Sequence, residues 1–243
     1  MLASLLGKPQ GLWLLGLLLL WAALLFGGFI FGKMDAKQTR RMPTWTRLAS
    51  SLVLVVAAWS WYWLTRGSAA NAVALLIAVG MTLGALGDLF MARLLPLPQY
   101  VLWGMGAFGL GHVAYISAFW RLGNLRGLNA AGPRWGSLAV WLLIGLIGWY
   151  IAVYRGQKPT VLHWAALPYA LLLAGTAGLA SGLAAQAPAF VPLALGSALF
   201  LLSDLILAAR LFSGTHFYLI DDVVWLTYGP AQALIVYAVS VGY

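Results

Sequence analysis

Eight apolar stretches follow one another along this chain, at 11–31, 48–64, 71–91, 100–120, 136–154, 161–185, 190–212 and 221–242. About 20 apolar residues carry a helix across a bilayer core. Inside hydrocarbon a segment must satisfy its own backbone polar groups, which runs of this length do as helices. The sequence therefore predicts an all-α, polytopic membrane bundle of about eight transmembrane helices, with 1–243 as a single integral membrane domain. Only 8% of the residues are charged, against about 25% in soluble domains, and little chain is left for a water-soluble domain. The first run, Gly11 to Phe31, exceeds the ~7–15 apolar residues of a signal peptide and reads as a retained first helix.

Charge is placed as a topology signal. Lys33, Lys37, Arg40, Arg41 and Arg47 follow the first run, and Arg93, Arg155, Lys158 and Arg210 fall on the same side. That makes nine, against five on the other: Lys8, Arg66, Arg121, Arg126 and Arg134. The positive-inside rule puts the first loop in the cytoplasm and both termini outside. Although the net charge is +9, no basic stretch is interleaved with stacking aromatics, so nucleic acid is not an expected partner. Trp59, Trp61 and Trp63 place the end of the second run in the interfacial aromatic belt. Cysteine is absent, which excludes disulfides and thiolate chemistry.

The two halves resemble a tandem duplication, 11–120 and 136–242. Pro43-Thr44 precedes Asp88 by 45 residues, and Pro159-Thr160 precedes Asp204 by the same 45. An offset of 116 also pairs Gly80 with Gly196, Leu83 with Leu199, Leu89 with Leu205 and Ala92 with Ala208. Four helices per half make these parallel repeats about an axis along the membrane normal.

The chain has five acidic residues, all Asp. Asp35 reads as a solvated loop residue. A carboxylate inside a membrane helix costs at least ~2.5–3.5 kcal/mol and is by default a functional-site hypothesis; Asp88 and Asp204, at equivalent repeat positions, are the candidates. By helix parity both lie toward one membrane face, about 5 and 12 Å from the helix ends at ~1.5 Å per residue. Asp221 and Asp222 open the eighth run and read as acids favoured by the helix macrodipole. His112 and Tyr115 share one face of the fourth helix, and Tyr228 and Gln232 one face of the eighth. Arg93 and Arg210 lie just beyond the two intramembrane acids, where they either snorkel to the interface or bind a phosphate headgroup. No two of His112, His163 and His216 have the spacing of a helix-borne zinc site. No metal or other cofactor is expected.

Four segments in order resemble the lysoplasmalogenase, or YhhN-like, family: Gly87-Asp88, Phe108 to Tyr115 with its His-x-x-Tyr, Leu202-Ser203-Asp204, and Thr227 to Gln232. Gly229-Pro230 and the long basic first loop depart from the family's pattern. The resemblance implies a hydrolase that splits the vinyl-ether bond of lysoplasmalogens into a fatty aldehyde and a glycerophospho-alcohol, with lysophospholipid and the bilayer as partners. In this reading Asp88 and Asp204 supply acid and base, and His112, Tyr115, Ser203, Tyr228 and Gln232 orient substrate or water. Another intramembrane lipid hydrolase, metal-dependent and ceramidase-like, or a proton-coupled transporter are the alternatives. Composition and the lack of an organellar targeting peptide point to a bacterial inner membrane.

Overall fold

The computed structural model describes residues 8–242, so the outermost ends of the expected 1–243 domain lie outside the described residues. It is all-helical among the described residues, and eight helices are long and apolar enough to cross a membrane. They are α1 (Pro9–Phe31), α2 (Thr44–Leu64), α3 (Asn71–Met91), α4 (Tyr100–Leu125), α5 (Ala131–Trp149), α6 (Val161–Ala184), α7 (Val191–Phe212) and α8 (Ile220–Tyr237). α5 runs on as a π-helix over Tyr150–Tyr154, a 3-10 turn over Pro188–Phe190 leads into α7, and a short turn, Val239–Gly242, follows α8.

The spans differ from the apolar runs mainly at their polar ends. α2 starts at Thr44 rather than 48, α4 extends to Leu125 rather than 120, and α5 starts at Ala131 rather than 136. The extra turns hold residues that hydropathy assigns to loops. Arg47 is the instructive one: it lies in the first turn of α2 and not in the basic loop. The tryptophans at the end of α2 differ in exposure. Trp63 is exposed, but Trp61 is buried, its ring edge-on to Tyr237 with centroids 6.2 Å apart.

Helices in lipid gain nothing from excluding water from one another, so close packing through small residues takes over. α3 and α4 meet where Gly111 faces the Gly80 carbonyl and the Tyr115 ring covers Gly80; a Cβ on Gly80 would lie 2.4 Å from that ring. α7 and α8 meet where Gly196 faces the Ala231 carbonyl, and a Cβ there would lie 3.0 Å from it. Both contacts bring the last helix of each half against the helix that carries its aspartate. Polar side chains projecting between these helices are thereby held at short range.

The first loop is docked rather than free. Asp35 accepts hydrogen bonds from the Thr39 and Arg40 N–H groups, at 2.7 and 3.1 Å, and from the Thr39 hydroxyl at 2.9 Å. Desolvation opposes its charge, but the N–H groups of Arg40 and Thr39 and the Thr39 hydroxyl outweigh that and hold the carboxyl below its ordinary pKa. Asp35 therefore organises the loop and is not merely solvated. At the far end, the Leu219 N–H donates to the Gln38 carbonyl and the Asp221 N–H to the Thr39 carbonyl, at 3.0 and 2.9 Å. The loop is thus pinned to the start of α8.

Candidate active site

A polar cavity of about 780 Å³ opens where the first loop, the C-terminal ends of α3 and α7, and the first turns of α2 and α8 converge. Asp88 and Asp204 both line it, with Phe108, Ser203, Trp225 and Tyr228. Arg40, Arg47, Arg93 and Arg210 line it as well. Helix parity thus puts both intramembrane acids at one end of the bundle, and the fold places them on one cavity.

Asp88 ends a chain of hydrogen bonds. Tyr115 donates its phenolic proton to Gln232 Oε1 at 2.7 Å, Gln232 Nε2 donates to the Tyr228 oxygen at 3.1 Å, and Tyr228 donates to Asp88 Oδ2 at 3.1 Å. Ser51, from α2, donates to the same Oδ2 at 2.6 Å. Every link runs donor to acceptor toward Asp88 Oδ2, so that oxygen accepts two hydroxyl protons. Gly84, one turn before Asp88 on α3, makes room for the chain; a Cβ there would lie 2.7 Å from Gln232 Nε2. Gly87 likewise seats the Phe108 ring, which a Cβ would meet at 2.7 Å.

Asp204 has a different setting. Its Oδ2 accepts a hydrogen bond from Tyr169 of α6. Asp204 and Tyr169 also line a narrow apolar crevice walled by Met105, Phe108, Trp149 and Ala170. The π-helical end of α5 contributes Val153 to that wall, and the Trp149 indole donates to the His163 carbonyl at 3.0 Å. The crevice and the polar cavity share Asp204, Phe108 and Met91, so the polar space continues into an apolar one at Asp204.

The remaining candidates separate by position. Tyr228 lines the cavity, whereas Tyr115 and Gln232 stand behind it and reach Asp88 through Tyr228. His112 lines neither space. Its Nδ1 is 2.9 Å from the Thr176 hydroxyl oxygen, and that hydroxyl donates to the Leu172 carbonyl at 3.0 Å. Nε2 is buried with no hydrogen-bond partner among the described residues. The Ser203 hydroxyl donates to the Val224 carbonyl at 3.0 Å, tying α7 to α8. Arg210 forms an ion pair with Asp221. Arg93 donates to the Tyr100 hydroxyl at 2.7 Å and lies over its ring.

Asp221 and Asp222 both lie in the first turn of α8, where the helix macrodipole favours them, and Asp222 has a further partner. α8 has no side-chain cap; the buried Asp222 carboxylate instead accepts from the Arg41 and Met42 N–H groups, the latter at 3.1 Å. It fastens the end of the first loop from across the bundle. Asp221, beside it in the first turn, pairs with Arg210.

Ser51, Tyr169 and Arg47 are among the residues missed from sequence that contact the acids or line their cavity. Ser51 and Tyr169 are ordinary in apolar helices, and only their partners mark them out. Arg47 is hidden among the loop cations. One signal was available for Ser51: it shares a helical face with Arg47, four residues before it.

The sequence matches the YhhN family over residues 42–239. The chain belongs to the YhhN family. That family includes lysoplasmalogenases, and the matched region contains the four segments that carried the resemblance, both aspartates and all eight helices except α1. No curated protein and no solved structure matches the chain. Among the described residues no group of three or more His, Cys, Asp or Glu side chains is placed to hold a metal ion.

Proposed function

We propose that this YhhN-family protein is a lysoplasmalogenase-like hydrolase, with Asp88 and Asp204 as its acid–base pair. The observation that carries the proposal is the position of Asp204, on both the basic polar cavity and the apolar crevice. A single-chain phospholipid has the same division, a phosphate headgroup joined through glycerol to one alkyl chain. With the headgroup in the cavity and the chain in the crevice, the ether linkage comes to the carboxyls at the junction.

Vinyl-ether hydrolysis starts with proton transfer to the alkenyl carbon one removed from oxygen, which leaves an oxocarbenium ion. Water adds to the cationic carbon and loses a proton, giving a hemiacetal. The hemiacetal collapses to aldehyde and alcohol, so one water is consumed and no redox change occurs. We assign the first proton to Asp204, which faces the crevice where the alkenyl chain would lie. Asp88 suits the carboxylate role, because an oxygen accepting two hydroxyl protons is built for the ionised form. It would balance the cation and take the proton from water. The Tyr115–Gln232–Tyr228 chain would hold Asp88 in place through that step.

The deciding experiment is aldehyde release from alkenyl lysophosphocholine and lysophosphoethanolamine by purified protein, beside the ester lysophospholipids, with and without chelator. Release from the vinyl ethers alone, unaffected by chelator, supports the reading. Release from esters or amides alone moves the assignment to another lipid hydrolase. The composition favours a bacterial inner membrane, and the charge bias of the loops favours a cavity open to the cytoplasm.

A further inference from the structure

Two guanidinium groups converge on one hydroxyl at the mouth of the cavity. Arg40, from the loop, and Arg47, from the first turn of α2, both donate to Thr44 Oγ1, at 3.4 and 3.2 Å. Neither has a carboxylate partner: the one ion pair among the described residues is Arg210 with Asp221. The nearby acids are engaged elsewhere, Asp221 with Arg210, Asp222 with the N–H groups of Arg41 and Met42, Asp35 with the N–H groups of Thr39 and Arg40, and Asp88 with the hydroxyls of Ser51 and Tyr228, and none forms an ion pair with either guanidinium. Arg47 Nε is buried with no hydrogen-bond partner. Trp225 holds the Arg47 guanidinium over its ring, 5.3 Å from the centroid. Like charges drawn together with no carboxylate in direct contact repel, and a buried guanidinium N–H left unpaired is costly. A phosphate bound between them relieves both, and guanidinium forks match phosphate oxygens in geometry. Thr44 also opens α2, whose positive dipole end favours an anion there.

We infer that Arg40 and Arg47 form the phosphate clamp of the lysophospholipid site, in place of the Arg93 and Arg210 pair expected from sequence. Register supports the assignment. Arg47 lies four residues before Ser51 on α2, and the Ser51 hydroxyl bonds to Asp88. The clamp therefore lies on the loop side of the catalytic carboxyl, along the same face of α2. In a lysophospholipid the glycerol backbone joins the phosphate to the ether oxygen, the same order as clamp and carboxyl along α2. The clamp sets how deep the substrate enters and so which bond meets Asp88 and Asp204. This assignment rests on the lipid-hydrolase reading, and the test separates the two.

Equilibrium binding in a non-ionic detergent, by thermophoresis, compares 1-O-hexadecyl lysophosphocholine with 1-O-hexadecylglycerol, which lacks the phosphate. Both are saturated ethers that vinyl-ether chemistry does not consume. Wild type is expected to favour the phospholipid by about tenfold or more, the worth of one charge-assisted contact. Arg47→Met and Arg40→Gln should each remove most of that preference, with Arg47→Lys intermediate. Arg66→Met, which alters a cation on the α2–α3 turn, should leave it unchanged. Equal binding of the two lipids by wild type, or an unaltered preference in both Arg40→Gln and folded Arg47→Lys, overturns the clamp. Binding of glycerol 3-phosphate or inorganic phosphate without binding of either lipid overturns the lipid assignment. Aldehyde release on the same preparations tests the hydrolase reading separately: a preference lost in the variants, with no aldehyde from alkenyl substrate, leaves the clamp standing and removes the reaction. In active protein, Arg47→Lys should raise KM more than it lowers kcat.

Discussion

Tyr228 of α8 donates its phenolic proton to Asp88 of α3 at 3.1 Å, and both side chains are buried where they line the cavity. The bond joins residues 140 positions apart and is the last link of the chain from Tyr115. If Asp88 works as a carboxylate, that chain is what positions it.

Replacing either acid by Asn keeps its shape and removes proton transfer. Asp88→Asn and Asp204→Asn should each lower aldehyde release by about 10²–10⁴-fold, the usual contribution of a positioned acid or base. Both should remain folded, which helical circular dichroism and detergent melting curves check. Near-normal turnover in both variants would remove the mechanism.

Tyr228→Phe deletes the donor to Asp88 and strands Gln232 Nε2, a buried polar group left unpaired at a cost of about 1–3 kcal/mol. Activity should fall about tenfold, in kcat more than in KM. Tyr115→Phe, two links further back, should do less. A Tyr115–Tyr228 double-mutant cycle should give a coupling of about 0.5 kcal/mol or more; additive effects would mean that the two phenols act separately.

Gly84→Ala puts a methyl group 2.7 Å from Gln232 Nε2. Overpacking of this kind costs about 1–3 kcal/mol, and here it also displaces the chain behind Asp88. Both melting temperature and turnover should drop. Gly16→Ala, with nothing within 4 Å of the added Cβ, is the control and should be neutral.

Ala170 is buried on the wall of the apolar crevice, near Tyr169 and Asp204. Ala170→Leu narrows that space. Turnover of long-chain alkenyl substrates should fall more than that of short-chain ones, read as the ratio of kcat/KM across a chain-length series. A uniform fall across the series would mean that the chain lies elsewhere.

The loop contacts carry a pH dependence. The Asp35 pKa is lowered in the fold, so its contribution to loop stability is complete above the unfolded-state value, about 3.9. That contribution is lost as pH falls through the folded value. Amide exchange at Thr39 and Arg40 should be faster in Asp35→Asn than in wild type at neutral pH, and the difference should close in acid. Asp222→Ala strips two N–H groups of their acceptor and should expose residues 33–42 to protease.

The number of helices, their order and the end of the bundle that holds the acids were legible in the chain itself. Hydrocarbon thickness sets a length that each apolar run must meet, and the cost of a buried carboxylate marks Asp88 and Asp204 wherever the helices pack. Family membership followed from short segments whose order survives in the linear sequence. Hydrogen-bond partners were not legible, because they depend on how each helix is rotated and how closely its glycines let another approach. That is why Ser51, Tyr169 and the Arg40–Thr44–Arg47 cluster appear only in the folded chain, why His112 stands away from the cavity, and why Asp222 holds a loop as well as favouring its own helix end. Local sequence sets what a residue costs inside the membrane, and packing between helices decides which partner offsets that cost.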